Sequence, residues 1–136
     1  MKQSIFLGWV LLLILTIGPA CKKKKDGGCS EAQMKATTLP AEGSVEPASP
    51  GPDFPLTVTI TEGMPSSGVT IEVKARPEGP TSTPFFTDTL QNVTVNSNNF
   101  TIKNTPAGSA AVVDITVTSS TCNTNKWTGS YRYSRK

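Results

Sequence analysis

Strict alternation of apolar and polar residues is the feature that most restricts this chain. Leu56, Val58 and Ile60 alternate with Thr57, Thr59 and Thr61. Val69, Ile71, Val73 and Ala75 alternate with Thr70, Glu72, Lys74 and Arg76. Ala111, Val113, Ile115 and Val117 repeat the pattern against polar partners. A period of two puts every second side chain on one face of an extended strand, and mixed faces of this kind belong to sheets with one buried and one wet side. No stretch after Cys21 repeats its apolar residues at helical spacing. The chain is therefore expected to be all-β.

The punctuation between the alternating runs supports this. Gly63-Met64-Pro65-Ser66-Ser67-Gly68 is turn chemistry, residues 77–84 read as a loop, and Asn96-Ser97-Asn98-Asn99 reads as a turn. One or two strands are expected within 86–95, another at 100–103, and a last one from about Trp127 to Ser134. Short strands with turn signals every roughly 8–12 residues argue an antiparallel β-sandwich of about seven strands.

Over residues 54–136 the layout resembles immunoglobulin-like and fibronectin type III domains. Asn104-Thr105-Pro106-Ala107-Gly108, placed before a long alternating strand, is similar to the E–F corner of the latter. The tyrosine expected just after that corner is replaced by Ala110 and Ala111. The early central strand has no tryptophan, so the resemblance implies the architecture alone.

The other end of the chain carries different information. Lys2 is followed by 13 uncharged, mostly apolar residues from Ile5 to Ile17, then by Gly18, Pro19 and Ala20. That is the three-part pattern of a cleavable signal peptide over residues 1–20. Its apolar run is shorter than the ~20 residues of a membrane-spanning helix. An uncleaved signal anchor is the alternative, given the four lysines that follow. Residues 21–53 read as a Lys- and Pro-rich flexible tether: from Asp26 to Pro55, prolines 40, 47, 50, 52 and 55 punctuate Gly, Ser, Glu, Ala and Thr, with few apolar residues to bury. A short edge strand around 43–48 is an option within it. Residues 54–136 are the domain proper.

The three cysteines fit this division. An odd count in an exported chain usually leaves a free thiol. It resolves if Cys21 carries lipid and Cys29 pairs with Cys122, closing a loop worth about 4 kcal/mol in the chain-entropy picture. Two free thiols are the alternative. Ile17-Gly18-Pro19-Ala20-Cys21 resembles the lipobox of Gram-negative lipoproteins, with Gly18 where leucine is usual. The run Cys21-Lys22-Lys23-Lys24-Lys25-Asp26 resembles the start of Bacteroidetes-type surface lipoproteins. The resemblance implies acylation of Cys21 and an outer-membrane, surface-exposed location. It leaves a periplasm-facing orientation open. The four lysines would also hold anionic headgroups directly.

Chemistry-bearing residues are sparse. Histidine is absent, removing the commonest general base and metal ligand together. Glu62, Glu72, Glu78, Asp88 and Asp114 are scattered singly, and no nucleophile elbow, phosphate loop or zinc spacing occurs. The expectation is a protein without catalytic residues, cofactor or metal. A net charge of +3, with the basic residues gathered near the two ends, gives no nucleic-acid signature. Trp127, Tyr131 and Tyr133 share one face of the last strand. They form either a platform for a sugar or protein ligand or a flank of the core. Asp88-Thr89-Leu90 resembles a short O-glycosylation motif of Bacteroidetes exported proteins, with Thr89 as acceptor. The functional expectation is a monomeric, membrane-anchored binding, adhesion or structural module meeting a protein or glycan at the cell surface. The alternative is a carbohydrate-binding accessory of a glycan-capture system.

Overall fold

A computed structural model describes residues 29–80 and 82–136. It contains seven strands: β1 (Lys35–Leu39), β2 (Phe54–Glu62), β3 (Val69–Pro77), β4 (Phe86–Val93), β5 (Ser97–Ile102), β6 (Ala110–Ser119) and β7 (Lys126–Ser134). All strand pairings are antiparallel. They build a three-stranded sheet in the order β1-β2-β5 and a four-stranded sheet in the order β4-β3-β6-β7. The described residues contain no helix. This is the all-β sandwich that the alternation predicts.

The alternating residues close the core. Leu56, Val58 and Ile60 from one sheet meet Val69, Ile71, Val73, Val113, Ile115 and Val117 from the other, and all are at most 1% exposed. Each such side chain contributes about 1.5–3 kcal/mol relative to an exposed one. Their threonine and charged neighbours stand on the outer faces, where β-branched residues suit the pleat.

Two expectations change. Residues from Cys29 onward are not a flexible tether: Met34 and Ala36 are buried and β1 hydrogen-bonds along β2, so the sandwich begins well before residue 54. After β1, whose Leu39–Pro40 peptide is cis, the chain crosses to the other sheet and runs parallel to β7. There it makes bridges at Val45 with Arg132 and at Ser49 with Arg135. Gly43 N donates to Ser130 O at 2.7 Å, and Glu46 N donates to Arg132 O at 2.8 Å. These bonds cover an edge that would otherwise expose unpaired backbone groups. The 43–48 option for extra edge pairing is thus realised as isolated bridges. The second change is at Ser97, Asn98 and Asn99, expected as a turn and found in β5. The asparagine side chains bond nearby groups in the extended state: Asn98 Nδ2 donates to Val95 O at 3.0 Å, and Asn99 Oδ1 accepts from Thr57 at 2.8 Å.

Cys29 and Cys122 form a disulfide with Cα atoms 5.8 Å apart across 93 residues. Around it, Asn125 Oδ1 accepts the Met34 N–H at 3.1 Å, and Asn125 Nδ2 donates to Glu31 Oε2 and Ala32 O, both at 3.0 Å. Gly63 closes the β2–β3 link here at φ 68°, and a Cβ on it would lie 2.5 Å from the Gln33 carbonyl oxygen. The described chain therefore starts at the end of the sandwich that holds the β2–β3 and β6–β7 links. The opposite end holds residues 40–53, the β3–β4 and β5–β6 links and the C-terminus.

Candidate functional site

Trp127, Tyr131 and Tyr133 do share one face of β7, and it is the inward one. Their cross-strand partners on β6 are Val117, Val113 and Ala111, all core residues. Tyr131 and Tyr133 are 2% and 3% exposed; Trp127 is half-buried against the core. The ligand-platform expectation is corrected accordingly. Stacking a sugar needs open ring faces, and these rings pack on the protein instead. The Phe54 and Tyr133 centroids are 4.3 Å apart, and the Tyr131 and Tyr133 centroids are 6.2 Å apart. Trp127 covers Gly129, where a Cβ would collide with the indole.

The two tyrosine hydroxyls differ. Tyr133 OH bonds Thr105 Oγ1 at 2.6 Å, inside the β5–β6 corner. Tyr131 OH is buried with no partner. Burial raises the Tyr131 pKa far above the ordinary phenol value, with smaller contributions from Tyr133 and the Glu46 carboxylate. Burial also raises Tyr133, and the Thr105 bond opposes it.

Most carboxylates expected as scattered surface charges are tied to cations. Lys35 pairs with Glu62 at 2.7 Å, Lys74 with Glu72, Arg76 with Asp114 at 2.9 Å and Arg132 with Glu78 at 3.3 Å. Glu78 and Asp114 both line an outer-face groove of about 630 Å³ beside residues 43–45. Each faces a guanidinium there, in a charge-assisted pair that joins neighbouring side chains on the sheet face. Among the described residues no group of three or more His, Cys, Asp or Glu is placed to hold a metal ion. No helix among them is long and apolar enough to cross a membrane.

Thr89 is exposed on β4, an edge strand, opposite Glu72, and its own N–H bonds Asp88 Oδ1 at 2.8 Å. Cys21, the signal region 1–20 and the lysines at 22–25 lie outside the described residues.

Sequence reasoning missed a second groove, of about 250 Å³, between residues 40–55 and β7. Phe54, Tyr131 and Tyr133 line it together with Pro40, Pro47, Pro55, Glu46 and Asp53. It adjoins a hollow of about 440 Å³ that shares Pro40, Glu46 and Pro55 and extends to the 73% exposed Leu39. The proline-rich composition of 40–55 was the available signal, and it reads equally as a spacer. No protein-family model, curated protein or solved structure matches the chain.

Proposed function

We propose that the chain is a non-catalytic, lipid-anchored outer-membrane protein that presents a β-sandwich to partners at the cell surface. The anchor is the acylated Cys21 of the lipobox-like sequence. Four lysines follow it and add about 1 kcal/mol each on anionic headgroups. One observation supports the arrangement above all. The Cys29–Cys122 disulfide fixes the start of the described chain at one end of the sandwich, and the residue 40–55 groove opens toward the other.

The same disulfide shortens the tether. Cys29 lies eight residues beyond Cys21. At the reach of a fully extended chain that stretch spans at most roughly 30 Å. The domain thus stands close to the lipid, with its groove end outward. It acts as a monomer, without cofactor and without nucleic acid, and its partner is a macromolecule of the cell surface.

Fractionation tests the anchor. Wild-type protein should partition with outer membranes and Cys21→Ala should not, whereas equal membrane association of both would contradict it. Labelling intact cells with a membrane-impermeant amine reagent tests the orientation. Exposed lysines such as Lys103 should react, and protection until the cells are lysed would place the domain on the periplasmic side.

A further inference from the structure

The two sheets end in four edge strands, β1, β5, β4 and β7. Residues 43–49 lie along β7 and cover it. β1 and β5 are short, with five and six residues. At eight residues, β4 is the longest uncovered edge among the described residues. It contains no proline, lysine or arginine, and its threonines and Phe86 favour the extended state. An edge of that composition is a template for another strand.

The phase of the hydrogen bonds shows which groups the edge offers. Ser120 N donates to Gly68 O and Glu78 N donates to Ala110 O, both at 3.0 Å and both in register with the β3–β6 pairing. The even-numbered residues of β3 therefore turn their backbone groups to β6, and Ile71, Val73 and Ala75 turn theirs to β4. Opposite these three, Leu90, Asp88 and Phe86 bond back to β3. The backbone groups of Thr87, Thr89 and Gln91 point away from the sheet.

Asp88 interrupts this edge in two ways. Its side chain belongs to the inward face of β4: it stands opposite the fully buried Val73 and between Phe86 and Leu90, which pack on the core. Alternation calls for an apolar residue there, and a carboxylate occupies the position. Its Oδ1 also accepts the Thr89 N–H at 2.8 Å, engaging a donor in the middle of the free edge. Asn92, at φ 55°, and the register shift between Val69 and Ile71 end the regular stretch, so the usable edge is residues 86–91. Antiparallel pairing of that stretch with its own copy, through the outward groups, has two registers of greatest overlap. In one, Asp88 faces Asp88. In the other it faces Leu90, and the two carboxylates are diagonal neighbours. Both gather like charge on one face, which destabilises cross-strand pairs.

We propose that Asp88 guards the β4 edge: its charge and its bond to the Thr89 N–H keep a second copy of this chain from extending the four-stranded sheet. The inference goes beyond the proposed function and holds whether or not Cys21 is acylated.

The test is sedimentation velocity of the full-length protein in detergent micelles over a concentration series. Asp88→Val, checked for its fold by circular dichroism, should self-associate at a concentration about tenfold or more below that of wild type. Asp88→Asn keeps an acceptor for the Thr89 N–H and loses the charge, so it should shift the same way by less. Thr87→Val puts the same apolar side chain on the wet face of β4 and should behave as wild type. Thr89→Pro removes the outward donor at an edge, where proline is tolerated, and should return Asp88→Val to wild-type behaviour. The proposal is overturned if neither Asp88 variant associates beyond wild type, if Thr87→Val associates as readily as Asp88→Val, or if Thr89→Pro leaves the association of Asp88→Val in place.

Discussion

The hydroxyls of Thr105 and Tyr133 lie 2.6 Å apart inside the sandwich, joining the β5–β6 corner to the last strand. Thr105 is 1% exposed, so its hydroxyl has no water to fall back on. A fibronectin-like corner would carry a tyrosine just after Gly108, and Ala110 and Ala111 occupy that stretch. Here a tyrosine from β7 bonds the corner instead.

Tyr133→Phe should therefore cost about 1–3 kcal/mol, the penalty for orphaning a buried hydroxyl. Thr105→Val should recover part of the loss in the Tyr133→Phe background. Urea unfolding of the two single variants and the double variant closes the cycle. Additive losses would show that the bond contributes no coupling.

Gly129 has no room for a side chain beneath Trp127. Gly129→Ala should displace the indole and destabilise the fold by about 1–3 kcal/mol, the usual cost of overpacking. The Trp127 indole N–H resonance should move with it. An unchanged resonance with full stability would mean that the ring is not held over Gly129.

The strands of the core were legible because their burial is written into adjacent residues. Leu56 to Ile60, Val69 to Ala75 and Ala111 to Val117 each carry enough apolar residues for the period to be visible. β1 was not legible. Within and just before it only Met34 and Ala36 are buried, and two apolar positions do not make a pattern. The asparagines of β5 favour turns, and their side-chain bonds hide an extended segment. For the aromatics of β7, alternation gives a shared face but not its direction. Direction comes from register, Tyr131 opposite Val113 and Tyr133 opposite Ala111, which is long-range information. The residue 40–55 groove was hidden for the same reason, being assembled from segments far apart in sequence.

Reduction tests how much the ends depend on each other. Removing the Cys29–Cys122 crosslink should lower stability by about 4 kcal/mol through the freed loop. Urea midpoints with and without reductant measure this. Because Glu31, Ala32 and Met34 are also bonded to the β6–β7 link, the reduced protein should keep β1 and become protease-sensitive first at residues 29–30, before the bonded stretch. Cleavage starting elsewhere would contradict the zipper of bonds around Asn125.

Two pH ranges matter. Hydrogen bonds from Thr121, then Asn125 and Ser119, hold the Glu31 carboxyl below its ordinary 4.5. Its contribution is present above that value and is lost as pH falls through the lowered one. Carboxyl NMR should show this depression, and Thr121→Ala should lessen it. The phenols of Tyr131 and Tyr133 are raised above the ordinary value of 10. Their contribution is complete below that value and falls away above it, as only the unfolded chain ionises there. Absorbance titration should show both resisting ionisation beyond the ordinary phenol range until the protein unfolds. Ordinary titration of Tyr131 in the folded state would contradict its burial.

The central claim, a lipid-anchored sandwich whose short tether ends at a disulfide, is tested most directly by intact mass spectrometry of the protein extracted from its own membranes. The chain should begin at Cys21, carry the added mass of acyl chains on that residue, and gain two hydrogen masses on reduction. A chain that retains residues 1–20, or one that begins at Cys21 without lipid, would contradict it.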